Sequence, residues 1–170
     1  GGRVRVGAIT PWGQCLSCLW GQLSQGGHGG GYEATGGWRF GNTIDGAQAE
    51  YLLVPNAQAN LAKIPDDLRD EQVVLLADIA STGFSASEKA HVGIGDAVAV
   101  FAQGPIGLCA TAGARLKGAG LIIAVDAVPA RRAVAKKTGA CVVLNYQDQD
   151  GVDGVRRPPA GRRGAGRAER

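Results

Sequence analysis

The residues whose types and spacing suggest chemistry lie in a glycine-containing turn, Ala102-Gln103-Gly104-Pro105-Ile106-Gly107. This A-x-G-x-x-G pattern follows a short apolar run and opens a helical pattern. In that context a backbone turn and a helix N-terminus bind the pyrophosphate of a dinucleotide. Gly104 lets the backbone approach the pyrophosphate, and Gly107 lets the helix pack closely on the strand. Pro105 and Ile106 are the two residues between these glycines, so the sequence predicts a dinucleotide site at residues 104–107.

A carboxylate at the end of the next apolar run completes this pattern. Asp126 follows the run at residues 121–125, about 20 residues after the last glycine, where an acid accepts hydrogen bonds from the adenosine ribose hydroxyls. A carboxylate there repels a 2′-phosphate, so NAD is predicted in preference to NADP. Ala102 departs from the pattern because it adds a Cβ where the first glycine is expected. The alternative interpretation is a structural strand–helix turn with an incidental acid.

Two of the four cysteines are spaced C-x-x-C, at Cys15 and Cys18. Four cysteines in 170 residues are too few for a secreted disulfide scaffold. Cys109 and Cys141 have apolar neighbours and are predicted to be small core residues. Only the C-x-x-C pair is therefore a candidate for metal binding.

The residues of the glycine turn and Asp126 need strands and helices to position them. The second half of the chain has a pattern of alternating strands and helices. The predicted elements are strands at residues 97–101, 121–125 and 141–144, with helices that begin at Pro105 and Pro129. Gly139 is placed to end the second helix. The β-α-β-α-β order predicts half of a doubly wound parallel sheet.

The first half is rich in glycine and in short apolar runs. Strands are predicted at residues 4–9, 50–54 and 61–64, helical turns follow Asp66, and a helix is predicted at residues 81–89. Asp78 lies within an apolar stretch, where an unpaired charge is costly. Its position therefore favours a metal ion or another specific partner.

The last 20 residues differ in composition from everything before them. Residues 151–170 contain six arginines and two acidic residues, so the net charge of +3 comes from this tail. No apolar periodicity is present, and residues 148–170 are predicted to be disordered. The abrupt change also suggests a frameshift near residues 150–158. Although an Arg/Gly tail can bind single-stranded nucleic acid, the absence of interleaved aromatic residues predicts no nucleic-acid partner.

No run approaches the ~20 apolar residues of a membrane span. We also find no N-terminal leader pattern. The sequence therefore predicts no membrane partner and a cytoplasmic location.

Four segments together make residues 3–147 similar to the medium-chain zinc-dependent alcohol dehydrogenases, in particular the secondary-alcohol type. They are TPWGQCLSC at residues 10–18, DGAQAEY at 45–51, DIASTGF at 78–84, and the glycine turn with Val125-Asp126. The resemblance implies an α/β chain in two parts. Residues 1–76 are expected to be the remnant of a GroES-like β-rich catalytic domain, and residues 77–147 a partial Rossmann domain.

The same resemblance implies an activity and its residues. It implies transfer of a hydride from a primary or secondary alcohol, held by a catalytic zinc, to NAD. Asp78 matches the third catalytic-zinc ligand, Thr82 matches a residue beside the nicotinamide, and Arg131 matches a basic residue near the adenosine ribose. The other two zinc ligands precede residue 1, so this chain is expected to be an inactive, incomplete fragment.

The family's structural-zinc motif is only half present. Its C-x2-C-x2-C-x7-C positions correspond to Trp12, Cys15, Cys18 and Gly26, so two of the four thiolates are missing. His28 lies near the fourth position, but one histidine does not replace two ligands. Cys15 and Cys18 are therefore predicted to be a degenerate structural-zinc loop.

Other functions stay open at this point. The chain is expected to take a small alcohol or ketone substrate and to be homo-oligomeric in its complete form. The alternatives are a non-catalytic partial NAD-binding module and a zinc-independent medium-chain reductase. Asp78 argues against the reductase.

Overall fold

The computed structural model describes residues 1–27, 36–148 and 151–156. The chain divides into two compact units, Gly1–Asp78 (unit 1) and Ile79–Arg170 (unit 2). Unit 1 consists mostly of turns and short helices. Unit 2 is an α/β unit built on a parallel sheet.

Unit 1 contains one two-stranded antiparallel sheet. Strands β1 (Val4–Val6) and β2 (Leu61–Lys63) pair with each other, and both were predicted. The predicted strand at residues 50–54 is wrong, because that segment has no regular structure. Its Tyr51 and Leu53 side chains are 90% and 86% exposed. An apolar run forms a strand only where a neighbour accepts its hydrogen bonds, and this segment pairs with none of the described residues.

Short helices and side-chain hydrogen bonds hold the rest of unit 1. Its helices are α1 (Leu16–Leu19), α2 (Ala57–Asn60) and α3 (Asp70–Val73), with 3₁₀ turns at Leu23–Gln25 and Val74–Ala77. The buried Asn60 amide donates from Nδ2 to the carbonyl oxygens of Pro11 at 3.0 Å and Pro55 at 2.9 Å. This amide therefore joins two segments that lack a sheet ladder.

Unit 2 has the β-α-β-α-β order that the sequence predicts. After helix α4 (Ile79–Lys89), its elements are β3 (Ala97–Phe101), α5 (Pro105–Leu116), β4 (Leu121–Val125), α6 (Pro129–Thr138), β5 (Val142–Leu144) and α7 (Gly151–Arg156). The three strands are parallel in the order β3-β4-β5. The α/β fold class is thereby confirmed.

Local sequence signals set the helix ends of unit 2. Pro105 and Pro129 occupy the first positions of α5 and α6, where the missing N–H costs nothing. Gly139 ends α6 with a φ of +126°, which favours glycine. Helix ends depend on neighbouring residues alone, so the sequence predicts them well.

The core of unit 2 is centred on β4, and all five of its residues are buried. A cluster of Leu121, Ile123, Val125 and Leu144 forms its largest part on one side. Strand β3, which was predicted to be buried, is the edge of the described sheet, and its Phe101 is 57% exposed. Among the described strands β3 pairs only with β4, so fewer neighbouring residues pack on its side chains than on those of β4.

Helices α4 and α5 approach closely through small residues. A Cβ on Gly83 would lie 2.5 Å from Cys109 Cβ. The Ser87 hydroxyl is buried between the helices and donates to the Ala110 carbonyl oxygen at 3.0 Å. This packing holds α5, and therefore its N-terminus, in place.

The predicted disorder from residue 148 onward is wrong for part of that segment. Gly151–Arg156 forms helix α7, and Val155 packs against the apolar cluster at β4 and β5. The apolar contact outweighs the arginine- and glycine-rich composition, which alone predicted disorder. Residues 157–170 lie outside the described residues, so their disorder and the frameshift stay predictions.

None of the described helices combines the length and apolarity needed to cross a membrane.

Candidate dinucleotide site and cysteine pair

The turn between β3 and α5 presents open backbone at the start of a helix. Gly104 is the N-cap residue of α5, and a Cβ placed on it would meet no heavy atom within 4 Å. The first N–H groups of the 12-residue helix have no partner within the helix, and its dipole favours an anion at this end. The predicted position of the pyrophosphate is therefore open and suited to negative charge.

Gly107 allows α5 to pack closely against the end of β3; it does not line the open approach at Gly104. A Cβ on Gly107 would lie 1.8 Å from the Ala102 carbonyl oxygen. No side chain fits at that distance, so only glycine allows the first turn of α5 to approach the end of β3. The sequence-based interpretation of this glycine agrees with the geometry.

Gln103 supports the turn through its buried side chain, a role that no sequence motif indicates. It is fully buried, and its Nε2 donates to the Val100 carbonyl oxygen at 2.9 Å. Its Oε1 accepts a hydrogen bond from the buried Thr111 hydroxyl at 3.0 Å. The side chain thus ties the turn to both β3 and α5. The spacing of eight residues between Gln103 and Thr111, two helical turns, is the only sequence signal of this contact, and it is weak.

Asp126 lies at the end of β4 and is only 4% exposed. Its Oδ2 accepts the Gln103 N–H at 2.6 Å, and its Oδ1 accepts the Val128 N–H at 2.7 Å. Burial by itself raises the pKa of this carboxyl. The two backbone hydrogen bonds, together with the Arg131 guanidinium, outweigh burial and hold the pKa of Asp126 below its usual range.

The structure brings most of the predicted cofactor residues together. Asp126 joins the end of β4 to the turn before α5, and Arg131 Nη1 lies 3.9 Å from Asp126 Oδ2. The Arg131 side chain is 53% exposed, whereas the Asp126 side chain is 5% exposed. The charge of Arg131 therefore faces the solvent. The buried Asp126 anchors the turn through its hydrogen bond from the Gln103 N–H.

Replacing Ala102 by glycine is expected to stabilise unit 2 by about 1 kcal/mol. Ala102 has a φ of +68°, a left-handed conformation that costs an alanine roughly 1–2 kcal/mol and costs glycine almost nothing. Part of the gain is offset by the greater freedom of glycine in the unfolded chain. Urea denaturation followed by circular dichroism at 222 nm measures the effect, because the long helices lie in unit 2.

The control for this prediction is Ala112→Gly, in the interior of α5. There the backbone is helical, so glycine is expected to destabilise by about 1 kcal/mol. A loss of stability in Ala102→Gly similar to that in the control would contradict the assignment of strain to Ala102.

Asp78 and Thr82 are both exposed. Asp78 follows the 3₁₀ turn Val74–Ala77, whose Val74, Leu75 and Leu76 side chains are 64%, 43% and 45% exposed. The prediction that an apolar environment makes the Asp78 charge costly is therefore wrong. The neighbouring apolar side chains point outward and do not enclose it.

The catalytic-zinc ligand set is not assembled by the described residues. Among residues 1–27, 36–148 and 151–156, no three His, Cys, Asp or Glu side chains lie close enough to hold a metal ion. Asp78 alone matches a catalytic-zinc ligand position of the family, and a catalytic zinc needs three protein ligands. The residues present do not fit that metal.

The degenerate structural-zinc loop contains two buried cysteines. Cys15 and Cys18 are buried, and their Sγ atoms lie 3.4 Å apart. At the other two ligand positions are Trp12, which has no suitable donor atom, and Gly26. A Cβ on Gly26 would lie 2.6 Å from Cys18 Sγ, and His28 lies outside the described residues. Two thiolates do not make a closed four-ligand zinc site.

Comparisons with known proteins place this arrangement in a family. Residues 105–161 match a family model described as zinc-binding dehydrogenase. An alcohol dehydrogenase of Cupriavidus necator is 56% identical over 173 residues, covering 95% of this chain and 47% of the relative. The NADP-dependent isopropanol dehydrogenase of Thermoanaerobacter brockii is 42% identical over 148 residues, covering 87% of this chain and 41% of the relative.

A solved structure agrees with these relatives. The alcohol dehydrogenase from Thermus sp. ATN1 matches with a TM-score of 0.77 at 34% identity, covering 92% of this chain and 45% of that chain. The chain thus spans about half the length of the curated relatives it matches. By its motifs, its fold and these relatives, the chain resembles about half of a zinc-dependent alcohol dehydrogenase, and its residues 105–161 match the zinc-binding dehydrogenase family.

Proposed function

We propose that this chain supplies the dinucleotide-binding part of an NAD-linked, zinc-dependent alcohol dehydrogenase. The observation that carries the proposal is the open turn at Gly104, which lies at the N-terminus of α5 and is anchored to Asp126. The family's substrates are small alcohols, and the isopropanol dehydrogenases among the relatives support a secondary alcohol for the complete protein. We also propose that the complete protein is homo-oligomeric.

The described residues are better suited to binding NAD than to binding a catalytic zinc ion. When bound, NAD supplies the hydride acceptor for alcohol oxidation. Gly104 and the first turn of α5 hold the pyrophosphate charge. Thr82 is proposed to lie beside the nicotinamide, as the family resemblance implies. Because the catalytic-zinc ligands are not assembled here, we expect this chain to bind the dinucleotide without oxidising an alcohol.

The preference for NAD rests on the charge of Asp126. Its lowered pKa keeps the carboxyl ionised at neutral pH, and an ionised carboxylate near the ribose repels a 2′-phosphate. The family as a whole does not decide this point, since several relatives are named NADP-dependent. The nearby Arg131 guanidinium attracts a 2′-phosphate, whereas Asp126 repels it. A measurement of NAD and NADP binding shows which of the two charges sets the cofactor preference.

Titration calorimetry of the 170-residue chain tests both parts of this proposal. We expect NAD to bind at least tenfold more tightly than NADP. Gly104→Val is expected to weaken NAD binding at least tenfold, because the new side chain occupies the open approach while its Cβ meets no heavy atom within 4 Å. Gly46→Val, at a position in unit 1 with only ordinary contacts, is the matched control and is expected to leave binding unchanged.

Each other outcome has a defined meaning. Tighter binding of NADP would show that Arg131 rather than Asp126 sets the cofactor preference. If the folded chain binds neither dinucleotide, or if Gly104→Val binds NAD as well as the parent chain does, the turn is a structural feature only.

A further inference from the structure

Cys15 and Cys18 form a preorganised pair of sulfur atoms in unit 1. The chain between them makes the first turn of α1, in which the Leu19 N–H donates to the Cys15 carbonyl oxygen at 3.0 Å. Residues three apart in such a turn have Cα atoms about 5 Å apart. This separation lies inside the range of about 4.4–6.8 Å that disulfides require.

Backbone donors from outside α1 hold both sulfurs in position. The Gly27 N–H donates to Cys15 Sγ at 3.4 Å, and the Gly13 N–H donates to Cys18 Sγ at 3.3 Å. These contacts leave the sulfurs 3.4 Å from each other. A disulfide needs about 2.05 Å, so bond formation requires the two side chains to rotate toward each other.

The residues around the two cysteines favour disulfide formation over a closed metal site. The described residues offer no third thiolate, imidazole or carboxylate that completes a site with the two cysteines. The backbone of Gly26 packs so closely on Cys18 Sγ that a side chain there would displace it. Two neighbouring thiols can react with each other without a metal ion.

We propose that Cys15 and Cys18 form a reversible disulfide that closes α1 onto its loop where the family has a structural zinc. The oxidant is a small-molecule disulfide such as oxidised glutathione. One cysteine thiolate attacks it, forming a mixed disulfide and releasing one glutathione thiol. The second cysteine then attacks the mixed disulfide and releases the other glutathione. Two protein thiols are oxidised and one external disulfide is reduced to two thiols.

Oxidised glutathione is expected to reach the sulfurs through local opening of α1. Both cysteines are 9% exposed or less, so the reaction requires local opening of the helix. Helix α1 has only four residues, and its Leu16, Leu19 and Trp20 side chains are 59%, 73% and 70% exposed. Such short elements with exposed side chains open readily. The disulfide is then expected to suppress this opening.

The test is incubation of the native, chelator-treated chain with oxidised glutathione, followed by alkylation and mass spectrometry. We expect a Cys15–Cys18 disulfide that dithiothreitol reverses, while Cys109 and Cys141 stay alkylatable as internal controls. Amide exchange in α1 is expected to slow at least tenfold after oxidation. In Cys18→Ser, the serine cannot resolve the mixed disulfide, so a glutathione adduct is expected to accumulate on Cys15.

Three results would overturn the proposal. They are no reaction at Cys15 and Cys18, a stable glutathione adduct on the parent chain, and tight binding of one zinc ion that blocks oxidation until it is chelated. The last would show that the loop is still a metal site. None of these outcomes bears on the dinucleotide turn, so this inference stands or falls independently of the proposed function.

Discussion

Replacing Gly107 by alanine is expected to lower the free energy of unfolding of unit 2 by about 3 kcal/mol. The added Cβ would lie 1.8 Å from the Ala102 carbonyl oxygen and 2.9 Å from its carbonyl carbon. These are backbone atoms at the end of β3, so they cannot move aside as a flexible side chain does. Either α5 shifts away from the sheet or the turn is distorted, and both responses are expected to weaken the proposed dinucleotide binding as well.

Urea denaturation followed at 222 nm measures this loss. The three tryptophans, at Trp12, Trp20 and Trp38, all lie in unit 1, so their fluorescence reports separately on a unit that the substitution does not touch. Gly104→Ala is the matched control, since its Cβ meets nothing and its φ is −71°. We expect that control to leave stability unchanged or slightly raised. Equal losses in both variants would show that the clash at Gly107 is not the cause.

Asp126→Asn is expected to destabilise unit 2 by about 2–3 kcal/mol at pH 7. The buried carboxylate accepts the N–H groups of Gln103 and Val128 on different oxygens. Asparagine has the same shape but only one acceptor oxygen, so its amide faces one of these two N–H groups and leaves it without its acceptor. Since Gln103 is linked in turn to Val100 and Thr111, the whole turn is expected to loosen.

The control is Asp96→Asn, because Asp96 also accepts a backbone N–H, from Gly93 at 2.8 Å, but is exposed. Water can replace that hydrogen bond, so a loss below about 1 kcal/mol is expected there. A loss at Asp126 no larger than the loss at Asp96 would contradict the role of Asp126 as the buried anchor of the turn.

The effect of Asp126→Asn is expected to depend on pH in a defined direction. The folded-state pKa of Asp126 lies below the value of about 3.9 for an unfolded aspartate. The ionised carboxyl therefore stabilises the fold above pH 4, and this contribution is lost as the pH falls from about 4 through the folded-state pKa. The stability difference between parent and variant should shrink over this window in urea titrations. A difference that stays constant down to pH 2.5 would exclude the carboxylate charge as its source.

Where local chemistry decides the structure, the sequence predicts it. The ends of α5 and α6 follow from Pro105, Pro129 and Gly139, and each acts through its own backbone. The strands of unit 2 follow from apolar runs between such breaks. The glycine turn was also predictable, because its pattern combines a need for open and closely packed backbone with a fixed place between a strand and a helix.

Elements that depend on a distant partner were predicted less well. Residues 50–54 have the composition of a strand but pair with none of the described residues, so they form none. Residues 151–156 have the composition of a disordered tail, yet Val155 packs against an apolar cluster and the segment is helical. Composition does not report which surfaces a fold leaves available.

The sequence by itself predicted the resemblance to zinc-dependent alcohol dehydrogenases, the β-α-β-α-β order and the glycine turn before α5, because these depend on patterns along the chain. Only the tertiary structure decided that Asp126 is buried and bound by the turn, that Gln103 connects the turn to β3 and α5, and that Asp78 is exposed. It also decided that Cys15 and Cys18 face each other at 3.4 Å. Burial and hydrogen bonding arise between residues that the fold brings together from distant positions, so no local pattern encodes them.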